Sequence, residues 1–126
     1  MKRNKTFSAN ARKIDRKWYY VNAEGKVLGR LAAKVANIVR GKDEVSFTPS
    51  FDCGDFVVIT NAEKIKITGK KIKQKKYFTH SGYPHGAKLV NLEDKLKKDP
   101  EGVILHAIRG MLPRGRLGDK LITKVK

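Results

Sequence analysis

Residues 18–60 read WYYVNAEGKVLGRLAAKVANIVRGKDEVSFTPSFDCGDFVVIT, and this stretch decides the fold. Residues 17–22 (KWYYVN) are aromatic and β-branched, the composition of a strand, and Ala23-Glu24-Gly25 supplies a turn. Leu28, Leu31, Ala32, Val35, Ile38 and Val39 then recur at helical spacing, with Arg30, Lys34, Asn37 and Arg40 on the opposite face. Gly41 stands where a helix end commonly needs a left-handed residue. Phe56–Thr60 (FVVIT) is a continuous β-branched run, which predicts a strand covered on both faces, the mark of parallel sheet. Strand, helix and buried strand in that order predict a right-handed βαβ unit. Between helix and second strand, residues 42–55 include Pro49 and Gly54 and have no pattern of their own. A connection that long is usually functional or disordered.

Downstream the pattern is more broken. Residues 63–76 mix alternation at Ile65 and Ile67 with a turn at Thr68-Gly69, which predicts a short strand or hairpin. Residues 80–86 (HSGYPHG) read as loop from their glycines and Pro84. Three short helices are expected to close the chain. Asn91 with Asp94 resembles a capping arrangement. Asp99-Pro100-Glu101 is a stronger start, with Asp as N-cap, Pro at the first helical position and acid in the first turn. The helix it opens should bury Val103, Ile104, Ala107, Ile108 and Met111 and end at Pro113. Residues 117–125 add a last turn or two. With 126 residues and 40% apolar content, one domain with one core is expected.

Charge is distributed unevenly over this frame. Residues 1–17 carry +6, residues 18–62 are neutral, residues 63–88 carry +7 and residues 89–126 carry +4, within a net +17. A compact protein with so much like charge repels itself, and a polyanionic partner removes that cost, so nucleic acid is the expected partner. Lys64, Lys66, Lys70, Lys71, Lys73, Lys75 and Lys76 lie within thirteen residues, followed by Tyr77, Phe78, His80 and Tyr83. Each lysine that neutralises a phosphate releases counterions. Interleaved aromatics either stack on unpaired bases or pack in the core, and in a small domain packing is slightly favoured, but Tyr77, His80 and Tyr83 are assigned to RNA contact together with these lysines. Gly110-Met111-Leu112-Pro113-Arg114-Gly115-Arg116 sets two guanidiniums at a flexible helix end, where a planar fork grips phosphate. In the N-terminal segment Lys2, Arg3, Lys5, Arg12, Lys13 and Arg16 are assigned to RNA contact on charge alone. The segment lacks a clear apolar face, so it reads as a solvated arm before an organellar presequence.

Other chemistries lack their signatures. Gly25-Lys26-Val27-Leu28-Gly29 is not a dinucleotide fingerprint, and Thr68-Gly69-Lys70-Lys71 lacks the upstream glycine and following Ser/Thr of a P-loop. Cys53, His80, His85 and His106 match no structural zinc spacing, so no metal is expected. Asp52 and Asp55 read as turn and strand-start residues, and His106 as a partly buried histidine of a helix. Cys53 is the single cysteine and has no internal disulfide partner, which fits a reducing compartment. No apolar run is long enough for a bilayer, so no membrane is expected. Neither cofactor nor small-molecule substrate is expected. The alternative from another class is a small Rossmann-like enzyme acting on RNA or a nucleotide. A duplex-DNA binder would need a helix-turn-helix or zinc pattern that the chain lacks.

Assembled in order, Leu28-Gly29-Arg30-Leu31-Ala32, Gly54-Asp55-Phe56-Val57-Val58 leading to Asn61-Ala62, Thr68-Gly69-Lys70-Lys71, His80-Ser81-Gly82-Tyr83-Pro84 and Gly110-Met111-Leu112-Pro113 form one series. In these motifs, spread over about residues 18–117, the chain resembles large-subunit ribosomal protein thirteen, the bacterial type of the universal L-thirteen family. The resemblance implies a three-layer α/β/α fold with a small, mostly parallel sheet and a single α/β rRNA-binding domain at 18–126; the basic arm at 1–17 rests on charge alone. It implies a non-catalytic constituent of the large subunit that binds large-subunit rRNA early in assembly and lies beside other large-subunit proteins. The cytoplasmic ribosome is the implied location, an organellar one the minor alternative. Toward RNA it places Lys70, Lys71, Lys75, Lys76, His80, Tyr83, Arg109 and Arg114. Family members usually continue past the position of Lys126 with a tail holding an aromatic, a glycine and a His-Pro-His stretch. A glycine often follows the loop proline in the family, where this chain has His85.

Overall fold

A computed structural model describes residues 7–10 and 14–126. Strand β1 (Trp18–Asn22) and strand β2 (Phe56–Thr60) pair in parallel with Trp18 opposite Phe56 and Asn22 opposite Thr60, joined through helix α1 (Leu28–Arg40). The strand–helix–strand order with parallel pairing is therefore present. Helix α1 buries Leu28, Leu31, Ala32, Val35, Ala36 and Val39. Fully burying one such Leu or Val side chain is worth about 1.5–3 kcal/mol. Gly41 closes the helix at φ 76°, and its N–H donates to the Asn37 and Ile38 carbonyls that would otherwise be orphaned.

The connection at 42–55 is not patternless. It is a chain of turns that returns Asp55 N–H to the Ile38 carbonyl (3.2 Å) and seats Gly54 against the end of α1. A Cβ at Gly54 would lie 1.6 Å from the Val39 carbonyl oxygen, so only glycine permits this approach. Cys53 is buried there, its Sγ donating to the Ser46 carbonyl. Asp55, read as a strand-start residue, accepts the Lys17 N–H at 2.9 Å and so ties the starts of β1 and β2 together.

Several expectations are corrected. β2 is covered on one face only: Val57 is fully buried, while Phe56, Val58 and Ile59 are half-buried and Trp18 and Tyr20 beside them are exposed. A third short parallel pairing sets Val125 beside Val57, with Val57 N–H donating to Lys124 O, and Lys126 N–H to Val57 O. The stretch 63–76 holds no hairpin. A short 3-10 turn (Ala62–Lys64) leads to a single β-bridge between Lys66 and Val27, then Gly69 (φ 68°) and helix α2 (Lys71–Gln74). The hairpin comes later, as the antiparallel strands β3 (Lys76–His80) and β4 (Ala87–Asn91), with Ser81 through Gly86 as its loop. The described strands thus form two two-stranded sheets.

Helix α3 (Leu92–Lys98) begins after Asn91, whose side chain makes no capping bond. Helix α4 (Pro100–Met111) is capped as read, Asp99 accepting from Gly102 N–H at 2.8 Å, and packs against α1. Val103, Ile104 and Ile108 are buried and Ala107 is half-buried, but Met111 stands exposed where burial was expected. Helix α5 (Arg116–Ile122) follows Pro113. One apolar cluster runs through α1, β2, α4, α5 and Val125.

Candidate nucleic-acid interface

An open groove of about 640 Å³ is lined by Lys66, Lys71, Lys75 and His106, by Gly29 at the first turn of α1, and by Gly110 and Met111 at the end of α4. Local chemistry builds each wall. The bridge at Lys66 (Lys66 N–H to Lys26 O, 2.9 Å; Leu28 N–H to Lys66 O, 3.0 Å) fixes that lysine beside the start of α1. Lys71 and Lys75, four residues apart across α2, rise on the same side of its single turn. Leu92 N–H donates to Lys75 O (2.9 Å), locking the end of α2 to the start of α3. The α1 N-terminus brings no first-turn acid and no capping side chain, so its positive dipole end adds to the lysines.

Among the described residues no carboxylate lines this groove. Tyr77, assigned to RNA contact from sequence, lies beneath it instead, 9% exposed, as core packing of the aromatics would have it. Lys75 Nζ and Lys95 Nζ sit 5.3 and 4.4 Å from the Tyr77 ring centre, and the His106 ring meets it edge-on at 5.1 Å. Burial raises the Tyr77 phenol above its ordinary value, which keeps it neutral. His106 is more exposed than expected, yet its packed ring is pushed below the usual histidine range, first by burial and then by Lys95, Lys75 and Arg109.

The remaining sequence candidates divide. Lys70, Lys73, Lys76, Arg114 and Arg116 are exposed and form no ion pair with the described residues. Three others already have counterions: Lys64 with Glu24 (3.0 Å), Arg109 with Asp119 (3.0 Å) and Arg16 with Asp52 (3.2 Å). His80 and Tyr83 lie away from the groove, at the end of β3 and in the hairpin loop, and Tyr83 is 75% exposed. Phe78 is also exposed, contrary to the expected core packing. Lys2, Arg3, Lys5, Arg12 and Lys13 lie outside the described residues.

Sequence reasoning missed Lys95, although Leu92 and Leu96 mark the inward face of α3 and Lys95 shares it. It also missed the second role of Asp52, which pairs with the buried Lys124 as well as with Arg16. Lys124 Nζ further donates to Gly54 O at 2.8 Å. Among the described residues no three His, Cys, Asp or Glu side chains converge as a metal would require, and no helix is long and apolar enough to cross a membrane.

A sequence profile of the family described as ribosomal protein L13 matches residues 16–126. Large ribosomal subunit protein uL13 of Symbiobacterium thermophilum is 56% identical over 123 residues, covering 98% of this chain and 86% of the relative. The same protein of Chlorobium phaeobacteroides is 57% identical (97% and 81% covered), and that of Nitratidesulfovibrio vulgaris 53% (97% and 85%). Matches of this length and identity, on a chain whose groove gathers unpaired lysines, leave one assignment: the chain belongs to the ribosomal protein L13 family.

Proposed function

We propose that this protein is a structural constituent of the large ribosomal subunit that binds large-subunit rRNA and supports early assembly, without catalysis. The observation that carries this is the carboxylate-free groove, where Lys66, Lys71 and Lys75 meet the N-terminus of α1 with no counterion among the described residues. Such a surface neutralises phosphates that converge from different RNA segments, and the packed α1–α4 core holds the cations at fixed spacing. Lys70, Lys73, Lys76, Arg114 and Arg116 extend the contact beyond the groove, and residues 1–17 add a basic arm to a single rRNA-binding domain at 18–126. Neighbouring large-subunit proteins complete its surroundings in the cytoplasmic ribosome. Against the Rossmann-like enzyme stands the groove itself, in which His106 has lysines around it and no carboxylate to work with.

The test is direct. Tagged protein expressed in cells should sediment with the large subunit in moderate salt, and purified protein should bind a large-subunit rRNA transcript more tightly than duplex DNA of equal length. Protein that stays at the top of the gradient, or that makes no distinction between the two polymers, would refute the proposal.

A further inference from the structure

The hairpin carries an apolar face that the groove does not use. In its register Phe78 stands opposite Leu89, Lys76 opposite Asn91 and His80 opposite Ala87, and side chains directly opposed in an antiparallel pair share a face. Tyr77 and its partner Val90 point to the other side, where Tyr77 is buried in the core and Val90 stays 38% exposed. Phe78 is 64% and Leu89 66% exposed, a pairing that a free surface in water disfavours. The Phe78 and His80 rings lie 6.3 Å apart and tilted by 35°, so neither covers the other. His80 Nδ1 accepts the Gly82 N–H (2.9 Å), which in the neutral ring leaves Nε2 as an outward donor.

Residues 76–91 contain no Asp or Glu, whereas Lys76 shares the face with Phe78, and Lys88 is exposed on β4. Two apolar side chains are far smaller than the roughly 800 Å² per partner of a stable protein interface. A flat ring beside Lys76, on a face to which the two strands bring no carboxylate of their own, fits a base with its phosphate; Asp94 of α3 lies at the Leu89–Val90 edge. Lys75, which lines the groove, immediately precedes β3 but sits on the Tyr77 side of the strand, so the outer face and the groove are separate surfaces.

We propose that the outer face of the β3–β4 hairpin, centred on Phe78 and Leu89, is a stacking platform for unpaired rRNA bases, distinct from the phosphate-binding groove. It rests on the RNA-binding reading above and assigns that RNA a local form: bases splayed out of the helix at the hairpin, with phosphates in the groove.

The experiment measures binding of the full chain to a single-stranded oligoribonucleotide, to the corresponding duplex and to a large-subunit rRNA transcript, across a salt series. Phe78→Ala should weaken single-strand and transcript binding by roughly 5- to 100-fold and leave the duplex unaffected. The loss should be the same at every salt concentration, since no charge is removed. Phe78→Leu keeps the apolar surface without the ring and should lose nearly as much, whereas Phe78→Tyr should retain binding. Circular dichroism verifies the fold of each variant. Unchanged single-strand and transcript affinity in Phe78→Ala would overturn the platform and give this face to a protein neighbour. Wild-type-like binding by Phe78→Leu would also overturn it. If the wild-type chain binds no transcript at all, the RNA-binding reading itself fails, a result separable from both.

Discussion

Replacing Lys66, Lys71 and Lys75 together by Gln should alter how RNA affinity depends on salt by a calculable amount. Each lysine–phosphate pairing contributes roughly 0.7–0.9 to the slope of log affinity against log salt. Removing three of these pairings flattens the slope by roughly 2–3. Because the counterion contribution fades toward molar salt, the variant should bind about 10²- to 10³-fold more weakly at about 0.1 M and approach the wild type as salt rises. The structure supplies a matched control. Glu24→Gln with Lys64→Gln, and Asp119→Asn with Arg109→Gln, each delete an ion pair that already presents no net charge. Neither pair deletion should move the slope appreciably. Fluorescence anisotropy of a labelled rRNA fragment measures all of these curves. The reasoning fails if the groove variant keeps the wild-type slope, or if the pair deletions flatten it equally.

Three further outcomes are expected. Asp52→Ala should destabilise by about 3–5 kcal/mol, because Lys124 is left buried with only the Gly54 carbonyl, whereas Lys124→Met should cost less, since Asp52 keeps Arg16. Urea unfolding followed by the single tryptophan, Trp18, which stacks on Phe56 at 4.5 Å, measures both, and equal costs would contradict the argument. His106, held below its ordinary 6.5, takes up a proton more readily in the unfolded chain. Its contribution to stability is therefore complete above that value and lost as pH falls below it, so His106→Gln should flatten stability against pH there. His85, in the left-handed region at φ 61°, should tolerate glycine with a gain of up to about 1 kcal/mol, read from the urea midpoint, and a loss would show that the His85 side chain holds the loop.

What the sequence made legible was local. β1, α1, Gly41, β2 and the Asp99 cap each announce themselves within a few residues, through β-branched composition, helical period or a capping residue. Residues 63–76 were opaque because α2 is one turn long and leaves no period, while a lysine run masks any apolar pattern. Two sheets in place of one followed from the same ambiguity. On the interface, charge density found the lysines of the groove. It could not tell them from Lys64, Arg109 and Arg16, whose neutralising carboxylates arrive from elsewhere in the chain. Phe78 and Tyr77 show the limit most plainly: adjacent aromatics of one strand necessarily face opposite ways, and only tertiary packing decides which is inside.

The pairing of residues 124–126 with β2 bears on the order of events during synthesis. A chain emerging N-terminus first makes β1 and β2 long before the last neighbour of β2 exists, so one strand edge stays bare until Val125 arrives. All the lysines of residues 63–88 are translated earlier. The nascent polypeptide therefore offers its phosphate-gripping side chains before its sheet is closed, and translation halted short of residue 124 would release a strongly cationic chain with an open strand edge.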